Sequence, residues 1–132
     1  EGKVDILEAM PRDQLLRKMA SCDVFLFPSL RDGGGAVVIE AMAVGKPVVC
    51  LDTGGPAMHV TEDCGVKVSP ASSEVSATKL AYALETLYLD RNLRERLGAT
   101  AAKRAEEFYH WDRLGDRLMC IYRRVTTASV IK

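Results

Sequence analysis

The chain has 132 residues, 48% of them hydrophobic and 27% charged, which is the make-up of one globular domain and excludes a disordered or fibrous chain. Eighteen basic residues balance eighteen acidic ones, so no overall field draws the protein onto nucleic acid or an anionic membrane, and any phosphate has to be gripped locally. No apolar run approaches the roughly 20 residues of a bilayer span, and no basic start followed by an apolar stretch marks a signal peptide.

A cytoplasmic protein is therefore expected. The chain begins with Glu1 rather than methionine, so it reads as a fragment of something longer.

Residues 4–7 form a short β-prone run, and Pro11 and Asp13 then open a segment in which Leu15, Leu16, Met19 and Ala20 recur at helical spacing. Residues 24–27 (VFLF) are a compact apolar strand, stopped by Pro28, Ser29 and the loop 30–35. A helix is predicted over 36–44, closed by Gly45 in the usual place for a left-handed cap. Residues 47–51 are strand again, residues 53–56 (TGGP) a turn, a short helix is expected near Met58, and residues 65–68 make a fourth strand.

Beyond Pro70 the pattern turns helical. From about Glu74 one face carries Ala77, Leu80, Ala81, Leu84, Leu87 and Tyr88. A second amphipathic run places Leu93, Leu97, Ala101, Ala105 and Phe108 on one stripe, and a third, from Trp111, places Leu114, Leu118, Ile121, Tyr122 and Val125. Trp111 and Tyr122 read as core, and Arg94, Glu95, Arg96 and Lys103 as a solvated face.

Uninterrupted apolar strands separated by helices point to a Rossmann-like, doubly wound α/β parallel sheet of about four strands, followed by C-terminal helices. Ligands of such sheets bind beyond the carboxyl ends of the strands, where the two glycine-rich loops after Phe27 and Leu51 lie. Cys22, Cys50, Cys64 and Cys120 show no CxxC pair and no histidines at zinc-ligand spacing, so buried reduced thiols are expected and no metal.

Between strand and helix stands DGGGAVVIE, residues 32–40. Amides of Gly33, Gly34 and Gly35 are free of side-chain bulk, and the helix start behind them offers unpaired donors and about half a positive charge. That suits a phosphate or sugar phosphate, although three glycines also make a plain flexible turn. Neither a GxGxxG fingerprint nor a Walker loop is present. Glu40 is the only charged residue between Asp32 and Lys46. An unpartnered carboxylate in apolar surroundings is costly, so Glu40 either points to solvent or accepts from a ligand's hydroxyls. Asp32 is either a turn or capping residue or a ligand contact. His59, just after the glycine pair, is either a ligand contact or, as lone histidines more often are, a structural or surface residue, and His110 reads as a cap residue.

Residues 29–56, SLRDGGGAVVIEAMAVGKPVVCLDTGGP, resemble the acidic-x7-acidic segment of glycosyltransferase family four and its GT-B-fold relatives, typically PSxxEGFGxxxxEAMAxGxPVVxxxxGG. The likeness extends over nearly the whole chain, through CGVKVSP and the FYHWDRL entry to a last helix ending near IYRRV. It implies that residues 1–132 are part of the C-terminal, nucleotide-sugar-binding lobe of a retaining glycosyltransferase, with the acceptor lobe, a partner within the same parent chain, lying upstream. Glu40 would hold the ribose hydroxyls, and Asp32, in the first acidic position, would contact the hexose at the catalytic centre. Gly33, Gly34, Gly35, Ala36 and Val37 would give backbone amides to sugar and diphosphate.

The resemblance further implies a nucleotide diphosphate sugar as donor, a glycan, lipid or small molecule as acceptor, and no metal or other cofactor. It leaves room for peripheral membrane contact by the parent protein. Three positions depart from the pattern: Asp32 is one methylene shorter than the usual glutamate, Gly34 replaces a bulky residue, and Met58 stands where an acidic residue is frequent. Two other readings stay open, a GT-B-like nucleotide-sugar epimerase and a noncatalytic α/β binding module.

Overall fold

The computed structural model describes residues 4–128. Its elements run α1 (Arg12–Ala20), β1 (Phe25–Phe27), α2 (Ala36–Ala43), β2 (Val48–Leu51), α3 (Gly54–His59), β3 (Gly65–Val68), α4 (Ser73–Leu89), α5 (Arg91–Tyr109) and α6 (Trp111–Ala128). The strands form one parallel sheet in the order β1-β2-β3, with Phe25 opposite Val48, Phe27 opposite Cys50 and Leu51 opposite Val68.

Side chains of a strand alternate between the faces of its sheet, and in β2 both faces are buried. Val48 and Cys50 point into a cluster with Val38, Ala41 and Met42 of α2 and Ala101 and Ala105 of α5. Val49 and Leu51 point the other way, into a cluster with Val68, the α4 residues Leu80, Ala83 and Leu87, and Leu97 of α5. The sheet is thus covered on both faces, which is why β2 is apolar at every position. Each of its fully buried valines contributes about 1.5–3 kcal/mol of burial.

Of the four expected strands the first is not formed: residues 4–7 belong to no strand, and Val4 and Ile6 are 85% and 94% exposed, whereas the other three are present. Strand propensity is mostly the fit of a side chain to a neighbouring strand, and the sheet begins only at β1. The glycine pair differs as well: it does not stop in a turn but opens α3.

Helix ends follow their sequence signals closely. Gly45, at φ 74°, closes α2 with its amide on the carbonyl of Met42, while the Lys46 amide reaches that of Ala41, the paired bonds of a Schellman cap. Ser72 Oγ accepts from the amide of Val75 and Asp90 Oδ1 from that of Leu93, starting α4 and α5. His110 ends α5 and its carbonyl accepts from the Leu114 amide at the start of α6.

The helical faces are shifted from those expected. The buried line of α4 is Ser76, Leu80, Ala83 and Leu87, leaving Tyr88 79% exposed. Arg94 belongs to no solvated face: its guanidinium, 18% exposed, donates to the carbonyls of Leu87 and Tyr88 and so caps α4. In α6 the whole stripe predicted as core is open, with Trp111 84% exposed and Tyr122 56%. Cys50 and Cys64 are buried thiols, but Cys22 and Cys120 are exposed.

Candidate functional site

The loops leaving β1 and β2 meet at the carboxyl ends of their strands. The amide of Gly55 donates to the carbonyl of Asp32 at 3.0 Å. Only glycine fits this contact: at Gly54, with φ 61°, a Cβ would stand 2.5 Å from the Asp32 carbonyl oxygen, and at Gly55 it would stand 2.8 Å from that of Gly33. The glycine pair therefore serves as a seat for the loop 32–35.

Within that loop Asp32 Oδ1 accepts from the amide of Gly34 at 3.0 Å and from the amide of Gly35. While α2 carries no side-chain cap bond, Asp32 closes a side-chain turn over the loop. Its carboxylate also lies beside the N-terminus of α2, where a negative charge is favoured. Gly33 and Gly34 are exposed, with nothing within 4 Å of a notional Cβ, whereas Gly35 is buried and forms the N-cap of α2. Ala36 and Val37 open the helix, and their amides precede its first intrahelical bonds.

Glu40 sits one turn further along α2, its side chain 25% exposed, with Arg12 Nε donating to Oε1 at 2.7 Å. Of the two outcomes expected for Glu40, neither is seen alone, because α1 supplies a counter-ion at the rim of a cleft. The cleft measures about 520 Å³ and is walled by Arg12 and Leu16 of α1, Ala36 and Glu40 of α2, Tyr109 of α5 and Leu114 of α6. Val38, Ala41 and Met42 face the sheet instead, so the apolar helix has a core side and a cleft side. Among the described residues no group of three or more His, Cys, Asp or Glu is placed to hold a metal ion.

Arg12, Tyr109 and Arg104 carried no local signal in the sequence. Arg12 is 28 positions from Glu40 and Tyr109 is 50 positions from His59, so no spacing rule within one element joins them. His59 lies between the two loops and α5, with Nε2 2.7 Å from the carbonyl of Gly34 and Nδ1 2.9 Å from the hydroxyl of Tyr109. Arg104 Nε donates to the His59 carbonyl at 2.8 Å. Met58 is 77% exposed beside this group.

Comparison with known proteins gives a consistent picture. Residues 1–104 match the family Glycosyl transferases group 1. A D-inositol 3-phosphate glycosyltransferase of Corynebacterium efficiens is 31% identical over 130 residues, covering 98% of this chain and 30% of that protein. Among solved structures, a sucrose-phosphate synthase of Thermosynechococcus elongatus superposes with a TM-score of 0.80 at 27% identity, over 92% of this chain and 30% of the other. The Anabaena HepE protein, solved in complex with UDP-glucose, matches with a TM-score of 0.50 at 29% identity, over 67% of this chain and 25% of its own. The chain spans 12% to 32% of the length of its curated relatives.

Proposed function

The chain belongs to the glycosyl transferases group 1 family, with a fold that is part of a GT-B glycosyltransferase, and from that premise we propose that residues 1–132 are the donor-binding part of a retaining enzyme. The donor in this reading is a nucleotide diphosphate sugar, as in the UDP-glucose complex of a structural neighbour. The observation that carries the proposal is the meeting of the two glycine loops beside the α2 N-terminus, with Glu40 one turn along the same helix.

Chemistry assigns the parts. The carboxylate of Glu40, held through Oε1 by Arg12, takes the vicinal hydroxyls of the ribose, which a carboxylate accepts in bidentate fashion. Asp32 uses Oδ1 to set the loop and turns its other oxygen to the hexose. The amides of Gly33, Ala36 and Val37 face the diphosphate, while those of Gly34 and Gly35 are taken up by Asp32 Oδ1 and set the loop. As the glycosidic bond breaks, negative charge grows on the leaving diphosphate, and fixed amides at a helix start stabilise it without reorganising. No metal is needed for that step.

A whole enzyme requires an acceptor lobe as well, so residues 1–132 alone should bind nucleotide weakly and transfer nothing; calorimetry finding tight UDP-glucose binding by the isolated chain would contradict this. In the full-length protein, Glu40→Ala is expected to lower kcat/KM by about a hundredfold, the worth of a charge-assisted hydrogen bond or two. Transfer at the wild-type rate in that variant removes the reading. The anomeric configuration of the product, read by NMR, decides retention.

A further inference from the structure

Three consecutive glycines at the centre of a binding loop raise a difficulty. Nothing lies within 4 Å of a Cβ at Gly33 or Gly34, so the outer side of the loop is uncovered, although its backbone rests against Gly55. The peptide between Gly34 and Gly35 is flanked by glycine on both sides, so rotating it by half a turn meets little steric resistance. Such a flip would turn a carbonyl oxygen toward the Asp32 carboxylate that now accepts from this peptide's N–H, replacing attraction with repulsion and releasing loop and carboxylate together.

That one peptide unit is gripped at both edges. Its N–H, from Gly35, donates to Asp32 Oδ1, and its C=O, from Gly34, lies 2.7 Å from His59 Nε2. A carbonyl can only accept, so Nε2 carries the proton, and in the neutral ring Nδ1 accepts from the hydroxyl of Tyr109 at 2.9 Å. The ring stands edge-on to Tyr109, with centroids 5.0 Å apart at 85°, and Arg104 of α5 fixes the same residue by its backbone carbonyl. The rigid helix α5 thereby holds the imidazole, and the imidazole holds the loop.

We propose that His59 is the positioning residue of the donor loop: it locks the Gly34–Gly35 peptide with its N–H on Asp32 Oδ1 and so keeps the loop and the Asp32 carboxylate in the arrangement proposed for donor binding. This rests on the donor-binding reading above. A bulky side chain within the loop would hold it by packing; here a histidine from the neighbouring turn holds it by hydrogen bonding.

The test uses the full-length protein in four forms, wild type, His59→Ala, His59→Gln and Tyr109→Phe, with amide hydrogen exchange over residues 33–36 and UDP-glucose titration as readouts. Losing one hydrogen bond of this kind corresponds to about a tenfold effect. His59→Ala is expected to raise loop exchange about tenfold while the α4 and β2 amides keep their wild-type protection, and to weaken UDP-glucose binding by a similar factor. His59→Gln, which can again offer an N–H to Gly34, should recover most of both, and Tyr109→Phe, which removes only the hydroxyl, should fall between.

Wild-type loop exchange in His59→Ala, or a Gln variant as loose as the Ala variant, overturns the proposal. A loop that loosens as described in a protein that binds no UDP-glucose sinks the donor reading for that sugar nucleotide and supports the lock itself.

Discussion

At Gly54 a side chain meets two obstacles at once, a φ of 61° and the carbonyl oxygen of Asp32 at 2.5 Å from a notional Cβ. Gly54→Ala should therefore destabilise by about 1–3 kcal/mol, whereas Gly33→Ala, with open space around it, should stay within ~0.5 kcal/mol; urea denaturation of the pair reads the difference. The thiols separate as sharply. Cys22 and Cys120 are exposed and should react with iodoacetamide in the folded protein, while Cys50 and Cys64 are buried and should react only on unfolding. Burial pushes the Cys50 thiol up to about 11, with nearby Lys67 opposing. Because an unfolded cysteine titrates near ~8.5, the folded state holds its proton more tightly. Its contribution is fully present below that pH and is lost as pH rises through about 11. Unfolding by urea at several pH values should show a fall in stability over this window that is shallower in Cys50→Ala. Asp32 and Glu40 could be picked out in the sequence because a lone carboxylate beside glycines or within an apolar helix is conspicuous. His59 reads from the sequence as structural or surface, but its partner Tyr109, 50 positions away, carries no signal there.

Elements were legible where local rules decide and misread where a neighbour decides. The α2 helix and its Gly45 cap follow from composition alone. Residues 4–7 have the composition of a strand but no partner strand beside them among the described residues. The face of α4 turned by one position because Ser76 and Ala83, small rather than strongly apolar, take the inner line. Close approach of α5 to the end of α2 has a comparable hidden cause: a Cβ at Gly98 would fall 2.3 Å from the carbonyl oxygen of Gly45. Gly98→Ala should force the two apart and cost about 1–3 kcal/mol. Gly115→Ala in α6 meets nothing within 4 Å and should stabilise by ~0.5–1 kcal/mol through helix propensity. Opposite shifts in the urea midpoint are the expected result, and shifts of the same sign would contradict this account of α5 packing.

Over the whole molecule the core ends before α6. Leu87 is fully buried while Ile121 and Val125 are 56% and 60% exposed. In the isolated chain Leu87→Ala should cost about 2–5 kcal/mol, but Ile121→Ser and Val125→Ser only ~0.5 kcal/mol, a contrast that denaturation midpoints reveal directly. The amphipathic period of α6 is plain in the sequence; period, however, tells which side of a helix is apolar and not whether anything covers it. The family and the layered architecture were both readable from residues 29–56 and the alternation of strands with helices. The arrangement of the site was not, because it arises from contacts between loops that the sequence separates by some twenty residues.

Strand β2 has no neutral side, and this makes it behave like a reading frame. Its odd and even positions feed different clusters, so a one-residue slip of the whole strand would send Val48 and Cys50 to the α4 layer and Val49 and Leu51 to the α2 layer in a single stroke. The same slip would advance the glycine pair by about 3.3 Å along the sheet, carrying Gly55 clear of the Asp32 carbonyl that it now meets at 3.0 Å. Core and site thus share one parity, set over the four residues Val48–Leu51. Length variation between relatives should be confined to the loops on either side of them.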